Sequence, residues 1–154
     1  MDSTGPGDRP CLLVLHGPNL NLLGTREPAV YGRATLAEID RSIVAHGEAR
    51  GVAVTCRQSN HEGVLIDWLH GAVGSFRGVV LNPGGYTHTS VALRDAIAGI
   101  GLPVVEVHLS NTEAREAFRH RSLVGAVCLA RVMGFGGRGY LLALDGLIEH
   151  LGLG

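Results

Sequence analysis

A chain of 154 residues with 45% hydrophobic residues and a formal net charge of −1 can bury one core, and nothing in its charge points to nucleic acid or an anionic membrane. No apolar stretch approaches the roughly 20 residues that span a bilayer. Every basic side chain other than histidine is arginine and there is no lysine, which excludes catalysis through a lysine imine.

The opening "MDSTGPGDRP" has neither a basic start nor an apolar segment. Residues 1–9 are therefore expected to be a frayed tail rather than a signal peptide, with a single domain over 10–154. "CLLVLH", from Cys11, reads as a buried strand. Next comes "GPNLNLLGTREPAVYG", Gly17 to Gly32, a loop rich in Pro and Gly whose length marks it as functional. Its leucines, Leu20, Leu22 and Leu23, are expected to anchor it. "TLAEIDRSIVAHGEARG" has the pattern of an amphipathic helix opened by a capping box, Thr35 with Glu38, and stopped at Gly51. "VAVTCRQ" is a second strand. "SNHEGVLIDWLHGAVGSF" carries a second capping box, Ser59 with Glu62, and a helix presenting Leu65, Trp68, Leu69 and Val73. "GVVLN" is a third strand, "SVALRDAIAG" a short helix capped by Thr89 or Ser90, and "PVVEVHLS" a fourth strand. A helical turn is expected at Glu113–Phe118, a fifth strand in "GAVCLARVMG", and a closing helix in "YLLALDGLIEHL".

Alternating strands and helices imply a parallel sheet covered on both faces. Five strands in this length suggest a flavodoxin-like, doubly wound α/β domain. Such sheets bind ligands beyond the carboxyl ends of their strands. Polar residues gather there: His16, Asn19 and Asn21 after the first strand, and Ser59, Asn60 and His61 after the second. Asn82, Tyr86 and His88 follow the third, and Glu106, His108, Ser110 and Asn111 close or follow the fourth. The set suits a pocket for a hydroxylated or carboxylated small molecule.

Several motifs bear on chemistry. "GFGGRG", Gly134 to Gly139, matches G-x-G-x-x-G, but the second strand and distal acid of a dinucleotide site do not follow, so a tight turn is expected. His61, His88 and His108 could share a cleft, yet none has a partner at a recognisable metal-ligand spacing, and no metal is expected. Glu106 and His108 share one face of a strand, about 7 Å apart, so the carboxylate can hold one imidazole nitrogen and leave the other to substrate. Arg26 and Tyr31 share the opening loop. A guanidinium close to a phenol favours its ionised form, which is how a tyrosine becomes a base at neutral pH. Cys11, Cys56 and Cys128 lie far apart in apolar contexts and are expected to be buried thiols in a reducing compartment, the cytoplasm.

Taken as a set, "GPNLNLLGTREPAVYG", "QSNHEG.LIDWLH", "NPGGYTHTSVALRDA", "EVHLSN..ARE.FR" and "GYLLAL" resemble the type II 3-dehydroquinate dehydratases of the shikimate pathway, from about Leu12 to His150. The resemblance implies a flavodoxin-like fold in a homododecamer, a tetramer of trimers. It also implies reversible dehydration of 3-dehydroquinate to 3-dehydroshikimate through an enolate, without metal or organic cofactor. The missing lysine agrees with that division from the imine-forming type I enzymes.

Position by position, Tyr31 resembles the base and Arg26 the lid arginine that keeps it ionised. Asn19 resembles the residue that places a water or donor on the enolate oxygen. His108 resembles the acid that protonates the departing hydroxyl, with Glu106 orienting it. Asn82, His88 and Arg119 are expected to bind substrate hydroxyls, and the Leu109 and Ser110 amides its carboxylate. Asp95 is expected to reach a neighbouring subunit's site. The long loop would then be a lid that excludes water on closing.

The chain departs from the pattern at His16, where asparagine is usual, and at Val64, Arg121, Leu123 and Gly125–Ala126. Two other readings stay open at this point: a flavin-binding module, which would be yellow, and a catalytically silent oligomeric relative.

Overall fold

The computed structural model describes residues 8–25 and 27–154. Residues 1–7, most of the expected tail, and Arg26 lie outside the described residues. The strands are β1 (Cys11–His16), β2 (Ala53–Gln58), β3 (Gly78–Asn82), β4 (Val104–His108) and β5 (Ala130–Met133). The α-helices are α1 (Pro28–Tyr31), α2 (Leu36–Ala49), α3 (Glu62–Ala72), α4 (Val91–Ile100) and α5 (Arg138–Leu151). All strand pairs are parallel, in the order β2-β1-β3-β4-β5. This is the flavodoxin-like order of a doubly wound sheet.

Side chains on a strand alternate between faces. Leu12 and Val14 pack with Ile39 and Ile43 of α2 and with Tyr140 and Leu144 of α5. Leu13 and Leu15 pack with Leu65 and Leu69 of α3 and with Leu93 and Ile97 of α4. All four strand residues are fully buried, as expected where helices cover both faces. Among the described residues, no helix is long and apolar enough to cross a membrane.

The caps are as expected in two helices. Thr35 Oγ1 accepts from Glu38 N at 3.2 Å, and Ser90 Oγ accepts from Leu93 N at 2.9 Å. The other box does not form. Ser59 Oγ is taken by His61 N at 3.0 Å, in a turn before the helix, and His61 holds the cap position without a side-chain bond. Val73 follows α3 in extended backbone and is exposed.

The fifth strand is shorter than expected. Gly125–Val127 form a 3₁₀ turn, tied by Gly125 N to Ser122 Oγ at 2.9 Å. Backbone bonding to β4 starts at Leu129, whose N–H reaches Val104 O. The turn expected over Glu113–Phe118 is two 3₁₀ turns, Thr112–Ala114 and Ala117–Arg119, with Arg115 extended between them. In "GFGGRG", Gly134 and Gly136 have φ of 97° and 60° and lead tightly into α5.

Within the opening loop, Leu20–Leu22 form a 3₁₀ turn. Leu20 and Leu23 are buried and anchor it, whereas Leu22 is exposed, because three leucines in four positions cannot all face one core.

Candidate active site

The connections after β1 and β3 leave toward opposite edges of the sheet, which opens a crevice between the two strand ends. Gly17 N donates to Asn82 O at 2.8 Å and holds those ends together. A Cβ on Gly17 would stand 2.7 Å from the Pro83 backbone, so only glycine permits this approach.

Asn19, Tyr31, Asn82, His88, His108, Leu109, Ser110 and Arg119 line one pocket at this crevice. Glu106 lies directly behind His108. Asp95 is exposed on α4 and does not line the pocket.

The residues after β2 act one step back. Asn60 Oδ1 accepts from Asn19 N at 3.0 Å and from Gln58 Nε2 at 3.1 Å. Tyr86 donates its hydroxyl to Asn60 O at 2.8 Å. Asn60, held by Tyr86, therefore braces the loop, and Ser59, Asn60, His61 and Tyr86 do not line the pocket expected of them. Asn19 holds a left-handed backbone, φ 70°, a conformation asparagine tolerates better than most residues. His61 does not share the cleft of His88 and His108.

His108 and Glu106 form the expected pair, His108 Nε2 lying 2.5 Å from Glu106 Oε2. Glu106 is fully buried and takes three further bonds. Thr87 Oγ1 donates at 2.5 Å, Ser122 Oγ at 2.9 Å and Arg131 Nε at 2.9 Å. Burial alone would raise its pKa. The bond and charge of His108, the Thr87 hydroxyl and the Arg131 guanidinium outweigh that and lower it from 4.5 to about 2. An ionised carboxylate only accepts, so His108 Nε2 carries a proton and Nδ1 is the nitrogen available to the pocket.

Tyr31 sits opposite, at the end of α1. Arg115 Nη2 donates to its hydroxyl at 2.9 Å, Nη1 donates to Ser110 Oγ at 3.2 Å, and the guanidinium lies 5.2 Å from the Tyr31 ring centre. Arg119 donates to Glu116. His88 Nδ1 lies 2.7 Å from Arg121 O. The bond goes to the backbone, so the departure at Arg121 leaves it intact. The same holds at Leu123, whose N–H bonds to Thr87 O and whose carbonyl accepts from Arg94.

Sequence reasoning assigned no role to Arg115, Thr87, Ser122 or Arg131. Arg115 stands inside a quoted motif, four positions before Arg119, and its spacing after the fourth strand was the available signal. Arg131 pairs with Glu106 in the β4–β5 register. A charged residue inside the expected fifth strand was the signal there.

The chain matches the family described as "Dehydroquinase class II" over residues 10–148. It is 63% identical over 140 residues to "3-dehydroquinate dehydratase" of Ruegeria pomeroyi, covering 91% of this chain and 94% of the relative. It is 60% identical over 139 residues to "3-dehydroquinate dehydratase 2" of Pseudomonas aeruginosa, covering 90% and 94%. The crystal structure of type II dehydroquinase from Butyrivibrio crossotus superimposes with a TM-score of 0.89 at 42% identity, covering 90% of this chain and 97% of that one. Sequence pattern, overall identity and sheet topology agree over the same residues, and the chain belongs to the class II dehydroquinase family.

Proposed function

We propose that this type II dehydroquinase, a hydro-lyase, dehydrates 3-dehydroquinate reversibly to 3-dehydroshikimate, with Tyr31 as base and His108 as acid. The observation that carries the reading is the pairing of the two groups in one pocket. A phenol bears a guanidinium hydrogen bond, and an imidazole is backed by a buried carboxylate.

The ionised Tyr31 removes the proton alpha to the ketone, and the electron pair moves onto the carbonyl oxygen as an enolate. Asn19 places a water or donor against that oxygen. The enolate then collapses, the carbon–oxygen bond of the leaving hydroxyl breaks, and the His108 proton leaves with it as water. Glu106 offsets the charge of the protonated ring before transfer. Arg115 stabilises the phenolate, and Arg26 adds a second cation in this reading. Asn82, His88 and Arg119 hold substrate hydroxyls, and the Leu109 and Ser110 amides hold the carboxylate.

The direct test is the ultraviolet absorbance of the conjugated enone when purified protein meets 3-dehydroquinate. No enone formation overturns the reading. With no lysine in the chain, borohydride added with substrate is expected to leave activity intact. A reduced covalent adduct by mass spectrometry overturns the enolate route.

Assembly belongs to the same reading. Asp95 is exposed on α4, free to enter the site of a neighbouring copy in a cytoplasmic dodecamer built as a tetramer of trimers. Activity is expected to fall together with particle size on dilution, followed by light scattering and assay on the same samples. Full specific activity from a monomer refutes the role of Asp95.

A further inference from the structure

Asn82 is the pocket end of a buried hydrogen-bond chain that crosses the core. Its Nδ2 donates to Tyr140 Oη at 3.1 Å. Tyr140 Oη lies 2.8 Å from His16 Nδ1, and His16 Nε2 lies 2.7 Å from Asp40 Oδ1. The four residues come from β3, α5, β1 and α2. Tyr140 and His16 are fully buried, Asn82 nearly so, and the Asp40 side chain is 32% exposed. Only Asn82 lines the pocket.

The sense of the chain follows from hydrogen-bond chemistry. Asp40, as a carboxylate, only accepts, so the imidazole must carry its proton on Nε2. Its Nδ1 is then an acceptor and takes the Tyr140 hydroxyl proton. Tyr140 Oη in turn accepts, and the Asn82 amide nitrogen supplies the donor. The amide is pinned from its other side as well, since Asn82 Oδ1 accepts from Gly84 N at 3.0 Å. Every donor points from the pocket toward Asp40, with no conflict along the way. A reversed imidazole tautomer would place two donors on Tyr140 Oη and strand its own proton. The Cys56 thiol also stands beside Asp40 and His16.

The geometry points to Asp40, His16 and Tyr140 as positioning residues. They form a one-way relay that locks the Asn82 amide, so that its remaining N–H and second Oδ1 lone pair form a fixed donor–acceptor pair for a substrate hydroxyl. This rests on Asn82 binding substrate as proposed above. It also gives His16 a role. An asparagine there would reach the place of Nδ1 but stop short of Nε2, so the link to Asp40 depends on the histidine.

The test uses Asp40→Asn, which keeps the size of the side chain but removes its acceptor-only character at a partly exposed position. The Asn82 side-chain amide resonances, followed by NMR on ¹⁵N-labelled protein, are expected to move. KM for 3-dehydroquinate is expected to rise roughly three- to tenfold, the size of one hydrogen bond, with kcat and melting temperature nearly unchanged. His16→Asn is expected to behave alike. Tyr140→Phe is expected to raise KM in the parent but not in an Asn82→Ala background, because residues acting through one another are not additive. An unchanged KM in Asp40→Asn overturns the relay, whether or not the amide moves. So does a raised KM with the amide unmoved, or an additive Tyr140→Phe effect. If the parent forms no enone, the proposed reaction fails, while the amide resonances still report whether Asp40 reaches Asn82.

Discussion

Tyr31→Phe is expected to abolish turnover at every pH while leaving the fold and substrate binding in place. The variant has no group to accept the alpha proton, and raising the pH cannot restore one. A positioned general base alone contributes roughly 10²- to 10⁴-fold. The arginine variants are expected to differ in kind. In Arg115→Gln the phenol loses the guanidinium that donates to it at 2.9 Å, and Arg26→Gln removes the second cation proposed to support the phenolate. Each is expected to lower turnover by orders of magnitude at neutral pH, with part of the loss recovered as pH rises and ionises the phenol unaided. Steady-state kinetics across a pH series separates the roles. If either arginine variant weakens binding but keeps the parent's turnover and pH profile, that arginine is a substrate clamp and not the support of a tyrosinate.

The second large effect concerns the proposed acid. His108→Ala is expected to lower turnover by roughly 10²- to 10⁴-fold with the fold intact by circular dichroism. Near-normal turnover in the folded variant removes His108 from the mechanism. Glu106→Gln is expected to be milder in turnover, since it acts through the imidazole, but costly in stability. Glu106 is the acceptor for His108, Thr87, Ser122 and Arg131, and glutamine would turn an amide donor toward that set. Breaking a buried ion pair by removing one partner costs on the order of 3 kcal/mol. The pH dependence has a definite sign. A carboxyl lowered from 4.5 to about 2 by folding stabilises the native state above the unfolded value, and that contribution is lost as pH falls through the folded one. Denaturant unfolding between pH 5 and 2 is therefore expected to show a loss of stability in the parent that is reduced in Glu106→Gln.

Much of this architecture is written in local pattern. The apolar runs of β1, β3 and β4, the amphipathic helices, and the caps at Thr35 and at Thr89 or Ser90 all follow from periods of 2 and 3.6 and from the chemistry of helix ends. So does the sharing of one strand face by Glu106 and His108, because that geometry spans only two residues. The resemblance of the quoted motifs placed Asn19, Tyr31, Asn82 and His108 at one site, and the structure brings them to one pocket. Where local signals competed, pattern alone misled. Ser59 had a turn to serve before it could cap a helix, and Gly125 bends the chain before the fifth strand begins.

The rest was decided by where the folded chain returns to itself. Arg115 and Tyr31 are 84 positions apart and His16 and Tyr140 are 124, and no spacing rule links residues at such distances. Arg131 meets Glu106 only because β5 pairs with β4 in one particular register. His16 stood out in the sequence as an odd residue at the end of a strand. Its meaning depends on α2 bringing Asp40 to one ring nitrogen and α5 bringing Tyr140 to the other. Periodicity reports which face of an element is buried. Packing alone sets which polar groups then meet on that face, because each buried donor and acceptor must find its partner among whatever elements the sheet order brings together.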